Sequence, residues 1–299
     1  MTFDAMIDAG WAKHDRDPKG VAERLESGVG LVRDASQAGK YAHLANHVLG
    51  EALGDWPAAV RLTASAILRV ARSQELIPAF CSLAVARFMA GDPAGSLAAE
   101  SAAIALDPAS APATCVRARM LVAQAVAGAG RWEECRRLYL AALDLADTLG
   151  EPGSADRSVA VASNNIASAI LELAARTREL EDLMERAAQA ARTYWLRAGD
   201  WRNDERADYL LALVSNALGR HEEALAFASR GLATIRAGGE ENVDQAFLHV
   251  ARARAHRGLG ETGEAAREIE AAEALGRGLG DAGLERWLAD EIAKVRGPA

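Results

Sequence analysis

The sequence predicts an all-α fold, a solenoid of antiparallel helix pairs, and three observations carry that prediction. Half the residues are apolar but only 5% are aromatic; alanine dominates the apolar set. Such a composition suits closely packed helices rather than the Val-, Ile- and aromatic-rich core of a sheet. A phrase made of glycine, one or two further residues and then an alanine-rich helical run recurs along the chain. Each of these glycines also follows a helical run, so the repeated unit is helix, corner, helix.

The copies open at Gly54 (GDWPAAVRLTASAI), Gly91 (GDPAGSLAAESAAIALDP), Gly130 (GRWEECRRLYLAALDL), Gly219 (GRHEEALAFASRGLATI) and Gly260 (GETGEAAREIEAAEAL). The successive spacings are 37, 39, 89 and 41 residues, so one copy without a glycine is expected in the long gap, centred near Ala174. There, NNIASAILELAARTRELEDLMERAAQAA reads as two helices. Glycine takes the left-handed backbone that ends the first helix without a side-chain clash. The acidic pairs Glu133/Glu134 and Glu222/Glu223 then fall in the first turn of the second helix, where exposed N–H groups favour negative charge. Five places after each glycine stands a small residue, Ala59, Ser96, Cys135, Ala224 or Ala265, which lets the two helices approach closely.

The ends differ from the repeats. Residues 1–39 read as an N-terminal capping hairpin with helices over 4–14 and 18–38, Pro18 suiting the first turn of the second. Residues 40–280 hold about six repeat units. Residues 281–299 read as a capping helix and tail, with an apolar stripe of Leu284, Trp287, Leu288 and Ile292. Loops are expected over 149–158 and 198–206, both rich in breakers or polar residues.

In aggregate, these units resemble the tetratricopeptide repeat. The resemblance rests on small residues at Ala84 and Ala103, on the second-helix pattern of GDPAGSLAAESAAIALDP, and on NNIASAI and GRHEEALAFA. It covers roughly residues 40–280. The units are longer than that family's 34-residue standard and are similar to those in the sensor regions of large bacterial regulators. The resemblance implies a right-handed superhelix with a concave groove lined mainly by the first helix of each pair. Transferred by position, the groove candidates are Cys81, Val85, Phe88 and Met89; Arg117, Met120 and Gln124; Asn164, Ser168 and Leu171; Arg206, Tyr209, Leu213 and Asn216; and Phe247, Val250, Arg254 and Arg257. Arginines that clamp carboxylates and asparagines that grip backbone would suit a peptide with an acidic part.

Enzyme signatures are missing from the sequence: it has no Walker motif, GxSxG, HExxH or paired CxxC. His43 and His47 share a helical face, but no third ligand stands at ligand spacing nearby, so no metal and no cofactor are expected. Asp200, Asp204, Glu205 and Asp208 read as a solvated, helix-capping group. Cys81 and Cys135 read as small buried hydrophobes, and three cysteines without a framework suggest reduced thiols in the cytoplasm. The formal charge of −8 argues against nucleic-acid and acidic-membrane partners. The N-terminus lacks the basic and apolar regions of a secretory signal, and no apolar run is long enough to span a membrane. The functional expectation is a non-enzymatic scaffold or adaptor binding a protein or peptide in its groove. The alternative is a sensor module that binds a small molecule or short peptide and acts through a partner protein. Trp201 and Trp287 mark a possible homodimer contact.

Overall fold

A computed structural model describes residues 1–150 and 153–297. Among these residues there is no strand; the chain is a succession of helices. It forms two compact units, Met1–Val159 and Ala160–Ala299.

The first unit contains α1 (Phe3–Trp11), α2 (Pro18–Gly28), α3 (Ala35–Ala45), α4 (Trp56–Leu68), α5 (Ile77–Met89), α6 (Pro93–Ile104), α7 (Ala111–Gly128) and α8 (Trp132–Asp147). A π-helical segment, Asn46–Ala52, continues α3. Helix α9 (Asp156–Leu171) begins in the first unit and ends in the second. The second unit continues with α10 (Arg178–Ala198), α11 (Trp201–Ala217), α12 (His221–Gly238), α13 (Asn242–Gly258), α14 (Thr262–Gly276) and α15 (Ala282–Arg296).

The corners are built as the repeated phrase requires. Gly54, Gly91, Gly130, Gly219 and Gly260 all have φ between +70° and +83°. At Gly91 the glycine N–H donates to the Phe88 carbonyl and the Asp92 N–H to the Arg87 carbonyl. The same pair of bonds recurs at Gly130, Gly219 and Gly260. This is the Schellman closure, which satisfies carbonyls that the helix end would otherwise leave open. Gly54 follows the π-helical segment, and its corner is wider: the Asp55 N–H reaches back to Leu49. The small residues five places on are all buried: Ala59, Ser96, Cys135, Ala224 and Ala265. Ala84 and Ala103 are buried as well. In the unit without a glycine, α9 and α10 are joined through residues 172–177, and the Thr177 hydroxyl caps α10 by accepting from the Leu180 N–H.

First helices also pack on first helices, α1 on α3, α3 on α5 and α5 on α7 in the first unit, α11 on α13 and α13 on α15 in the second. Buried polar contacts tie them. The Asn46 amide donates to the Ser82 carbonyl at 2.8 Å, and the Asn216 amide to the Ala251 carbonyl at 2.9 Å. A first helix is tied to a second in the same way: the Tyr41 hydroxyl of α3 donates to the Leu25 carbonyl of α2 at 2.7 Å.

Several boundaries differ from expectation. The second leading helix stops at Gly28 rather than running to 38; Asp34 caps a new helix there by accepting from the Gln37 N–H. The expected boundary at residue 39 therefore falls inside α3. The loop expected over 198–206 shrinks to Gly199 and Asp200, because Asp200 and Asn203 form a reciprocal capping box that satisfies the exposed donors of α11. Of the loop expected over 149–158, residues 151 and 152 lie outside the described residues, and α9 begins at Asp156. In α15 the buried stripe is Leu288, Ile292 and Val295, while Trp287 is half exposed.

Because Gly219 holds a left-handed backbone with no room-related reason for its identity, Gly219→Ala should cost about 1–2 kcal/mol. Chemical denaturation of the two proteins measures this; an unchanged midpoint would remove the corner's conformational role.

Candidate functional site

The groove candidates fall into the two units. In the first, Cys81, Val85 and Met120 are buried; Cys81 packs with Ile77, Ala103 and Ala118. These residues join helices instead of lining a surface. Phe88 and Met89 are half-buried at the end of α5, where the Arg131 guanidinium lies 5.9 Å from the Phe88 ring centroid and 3.8 Å from the Met89 sulfur. Phe88 also lines a small cleft of about 260 Å³ with Leu97, Val122 and Leu138. Arg117 lines another of about 170 Å³ with Asp107 and Thr114. Gln124 is half-buried, and its side-chain oxygen has no hydrogen-bond partner among the described residues.

In the second unit the expected arginines meet carboxylates or carbonyls of the neighbouring first helix. Arg206 Nε donates to Asp244 at 2.8 Å, Arg254 to Glu291 at 3.1 Å, and Arg257 to the Arg296 carbonyl at 2.6 Å. Asn216 grips backbone, as its chemistry suggested, but it is the backbone of α13. Phe247 and Val250 are buried, Tyr209, Leu213, Ser168 and Leu171 are half-buried, and the half-buried Asn164 amide faces the Asn165 side-chain oxygen at 3.3 Å. Tyr209, Phe247 and Trp287 stand in a row across α11, α13 and α15, with ring centroids 6.4 and 4.2 Å apart. Trp287, 50% exposed, is the open end of that row.

The acidic group of α11 is solvated only in part. Asp200 caps the helix, but Glu205 and Asp208 are 0% and 2% exposed. Asp208 is clamped by two arginines: Arg192 of α10 and Arg230 of α12 each bring Nε within 2.7 Å. Neither carboxyl oxygen of Glu205 has a hydrogen-bond partner among the described residues. Burial, reinforced by the Asp244 carboxylate, pushes Glu205 up to about 9. The pattern D-x-x-x-x-E-x-x-D from Asp200 to Asp208 gave one signal of this: residues 205 and 208 fall on the same helical face as Ala212 and Ser215, which are also buried.

Cys81 and Cys135 are buried as expected, and burial raises both thiols to about 12. Cys115 is half-buried, its thiol donating to Glu100 at 3.2 Å.

Another cleft lies on the first-helix face of the first unit, where sequence reasoning placed no site. It has about 780 Å³ and is formed by α1, α3 and the start of α5. Ile7, Trp11 and Pro78 supply apolar surface; Asp4, Asp8 and Glu75 supply carboxylates, with Lys40 and His43 between them. Lys40 lies 4.0 Å from Asp4. Asp8 and Glu75 are exposed and have no ion-pair partner among the described residues. His43, set against this wall, is lowered by burial, an effect partly offset by Glu51.

Repeated helix pairs, closed by the same glycine corner and stacked first helix on first helix, decide the class of fold. The fold is tetratricopeptide-like. No family model and no curated protein sequence matches this chain. BtubC (BKLC) from P. vanneervenii is similar in structure over 84% of this chain and 90% of its own, at 16% identity and a TM-score of 0.50. The apo form of the quorum sensor NprR from B. thuringiensis is similar over 91% of this chain and 86% of its own, at 14% identity and a TM-score of 0.38. A tetratricopeptide repeat protein from Parabacteroides merdae ATCC 43184 is similar over 97% and 99%, at 14% identity and a TM-score of 0.37. At 16% identity the likeness to BtubC is one of fold. Among the described residues no tetratricopeptide-like helix is long and apolar enough to cross a membrane.

Two outcomes follow for the buried acids. Glu205 keeps its proton in the folded state but loses it in the unfolded chain above its ordinary value of 4.5. The folded state then binds more protons, so this group makes stability fall as pH rises from about 4.5 to about 9. Glu205→Gln should therefore gain stability over the parent as pH rises from about 5 to about 8, read from denaturation midpoints; parallel pH profiles would refute it. Asp208→Asn leaves two partly exposed arginines without their carboxylate and should cost about 1–3 kcal/mol in the same assay.

Proposed function

We propose that this tetratricopeptide-like chain is a non-enzymatic binding module, a scaffold or adaptor that holds a segment of another protein on its first-helix faces. The observation that carries this reading is the cleft at α1, α3 and α5: an apolar wall of Ile7, Trp11 and Pro78 beside the unpaired carboxylates Asp8 and Glu75. A volume near 780 Å³ is within the range of ligand and side-chain pockets. The arrangement suits a segment that presents an apolar side chain flanked by Lys or Arg. In the second unit, the arginines expected to hold an acidic peptide are already matched by Asp244 and Glu291. The sensor alternative needs converging cations open to a small anion; the pair that does converge, Arg192 and Arg230, encloses Asp208 of the chain itself. A cytoplasmic location and the lack of nucleic-acid and membrane partners belong to the same reading. A homodimer contact is proposed through Trp287, the exposed end of the aromatic row.

Fluorescence polarisation with two labelled peptides of equal length, one apolar with Lys and Arg and one apolar with Asp and Glu, tests the cleft. The basic peptide should bind with an affinity that falls as salt rises. Asp8→Lys combined with Glu75→Lys, both at exposed positions, should weaken it at least about tenfold, since like-charge juxtaposition costs several kcal/mol. Equal binding of the acidic peptide, or indifference to the double reversal, would sink the assignment. For the dimer, a monomer by light scattering at high micromolar concentration would do the same.

A further inference from the structure

Four ring side chains gather beside that cleft in the first unit. The Trp11 ring centroid lies 5.3 Å from His14, 5.2 Å from His43 and 5.3 Å from His47, and the His14 and His47 rings are 4.8 Å apart. His14 and Asp15 come from the turn between α1 and α2. His47 comes from the π-helical segment after α3. Such segments are rare and recur at functional sites, and this one carries both His47 and its partner Glu51.

Each of these two imidazoles is already oriented through Nδ1. His14 Nδ1 is 2.6 Å from the Trp11 carbonyl oxygen, and His47 Nδ1 is 2.7 Å from a Glu51 carboxylate oxygen. An imidazole that donates its Nδ1–H to a carbonyl or carboxylate keeps Nε2 for a ligand; metal-binding histidines are held in this way. Asp15 Oδ1 stands 3.0 Å from His14 Nε2, a place that calls for a proton or a cation between them. One ligand atom from each of His14, Asp15 and His47 lies within 4.8 Å of the other two. A tetrahedral ion with bonds near 2.1 Å wants its ligand atoms about 3.4 Å apart. The remaining gap is closed by side-chain rotation, for which the Asp15 side chain, 84% exposed, is free.

We propose that His14, Asp15 and His47 bind one divalent transition-metal ion of the zinc class, with Trp11 and Glu51 orienting the two imidazoles. Two imidazoles and one carboxylate form a nitrogen–oxygen set, which suits Zn²⁺, Ni²⁺ or Cu²⁺ rather than Mg²⁺ or Ca²⁺. Three protein ligands leave the fourth position open to water or to a donor from a bound partner. The ion pins the turn after α1 to the segment after α3, beside Trp11 and His43 of the cleft wall.

The test uses the full chain, treated with chelator and titrated with Zn²⁺ by calorimetry and with Co²⁺ by visible absorption. One ion per chain, a Co²⁺ ligand-field band and a higher Tm with Zn²⁺ are expected. His14→Gln, Asp15→Asn and His47→Ala should each weaken binding at least tenfold, and Glu51→Gln by about tenfold through the lost orientation. His256→Ala, on α13 of the second unit, should leave the affinity unchanged. His14 and Asp15 lie in a turn, so their variants stay informative where His47→Ala fails to fold, which circular dichroism reports. Absence of stoichiometric binding, or binding that His14→Gln and Asp15→Asn leave intact, overturns the site.

Discussion

The corner between two helices is the constraint on which the rest of this molecule depends. A residue in the left-handed region reverses the chain within two residues, and the two hydrogen bonds around it close the end of the first helix. The second helix then starts close to the first, and only a small side chain at its buried turn allows the axes to approach. Ala59, Ser96, Cys135, Ala224 and Ala265 meet that requirement with different chemistry and the same size. A hairpin made this way still has an open apolar face, so it is stable only against a neighbour. Where the glycine is missing, between α9 and α10, a longer connection and a threonine cap perform the reversal.

Stacking of first helix on first helix has an electrostatic consequence. Polar groups on those helices meet their counterparts on the next one, 35 to 40 residues along the chain. In the second unit this consumes Arg206, Arg254, Arg257 and Asn216. Within the same unit Glu205 is buried, and Asp208 is clamped by guanidinium groups of the second helices, Arg192 of α10 and Arg230 of α12. A paired charge has little reach beyond its partner, whereas an unpaired one sets the field that a partner meets. The first-helix face of the first unit keeps Asp8 and Glu75 unpaired, and it is acidic although its neighbours in sequence include Lys13 and Arg16.

Most of the fold was legible. The glycine corners, the small residue five places on and the acidic first turns are local signals, and they appear in the structure where they stand in the sequence; the stripe of α15 is shifted, to Leu288, Ile292 and Val295. The misread places are those where a short polar side chain made a local bond. Asp34 starts α3 within a run that looked like one helix, and Asp200 with Asn203 turns an apparent loop into a helix start. The candidate site was less legible. None of the positions carried over by resemblance lines the cleft at α1, α3 and α5, and Cys81, Val85, Met120 and Phe247 all turn inward.

Helix, corner and helix were determined by the sequence itself, because the forces that set them act over four or five residues. Which charged side chains are left over for another molecule was decided by the tertiary structure, because pairing depends on what lies across the interface and not on what lies nearby in the chain. Arg254 is cationic in any reading of the sequence, yet Glu291 neutralises it. His47 has no third ligand within its own helix, yet the fold sets the turn of His14 and Asp15 against it.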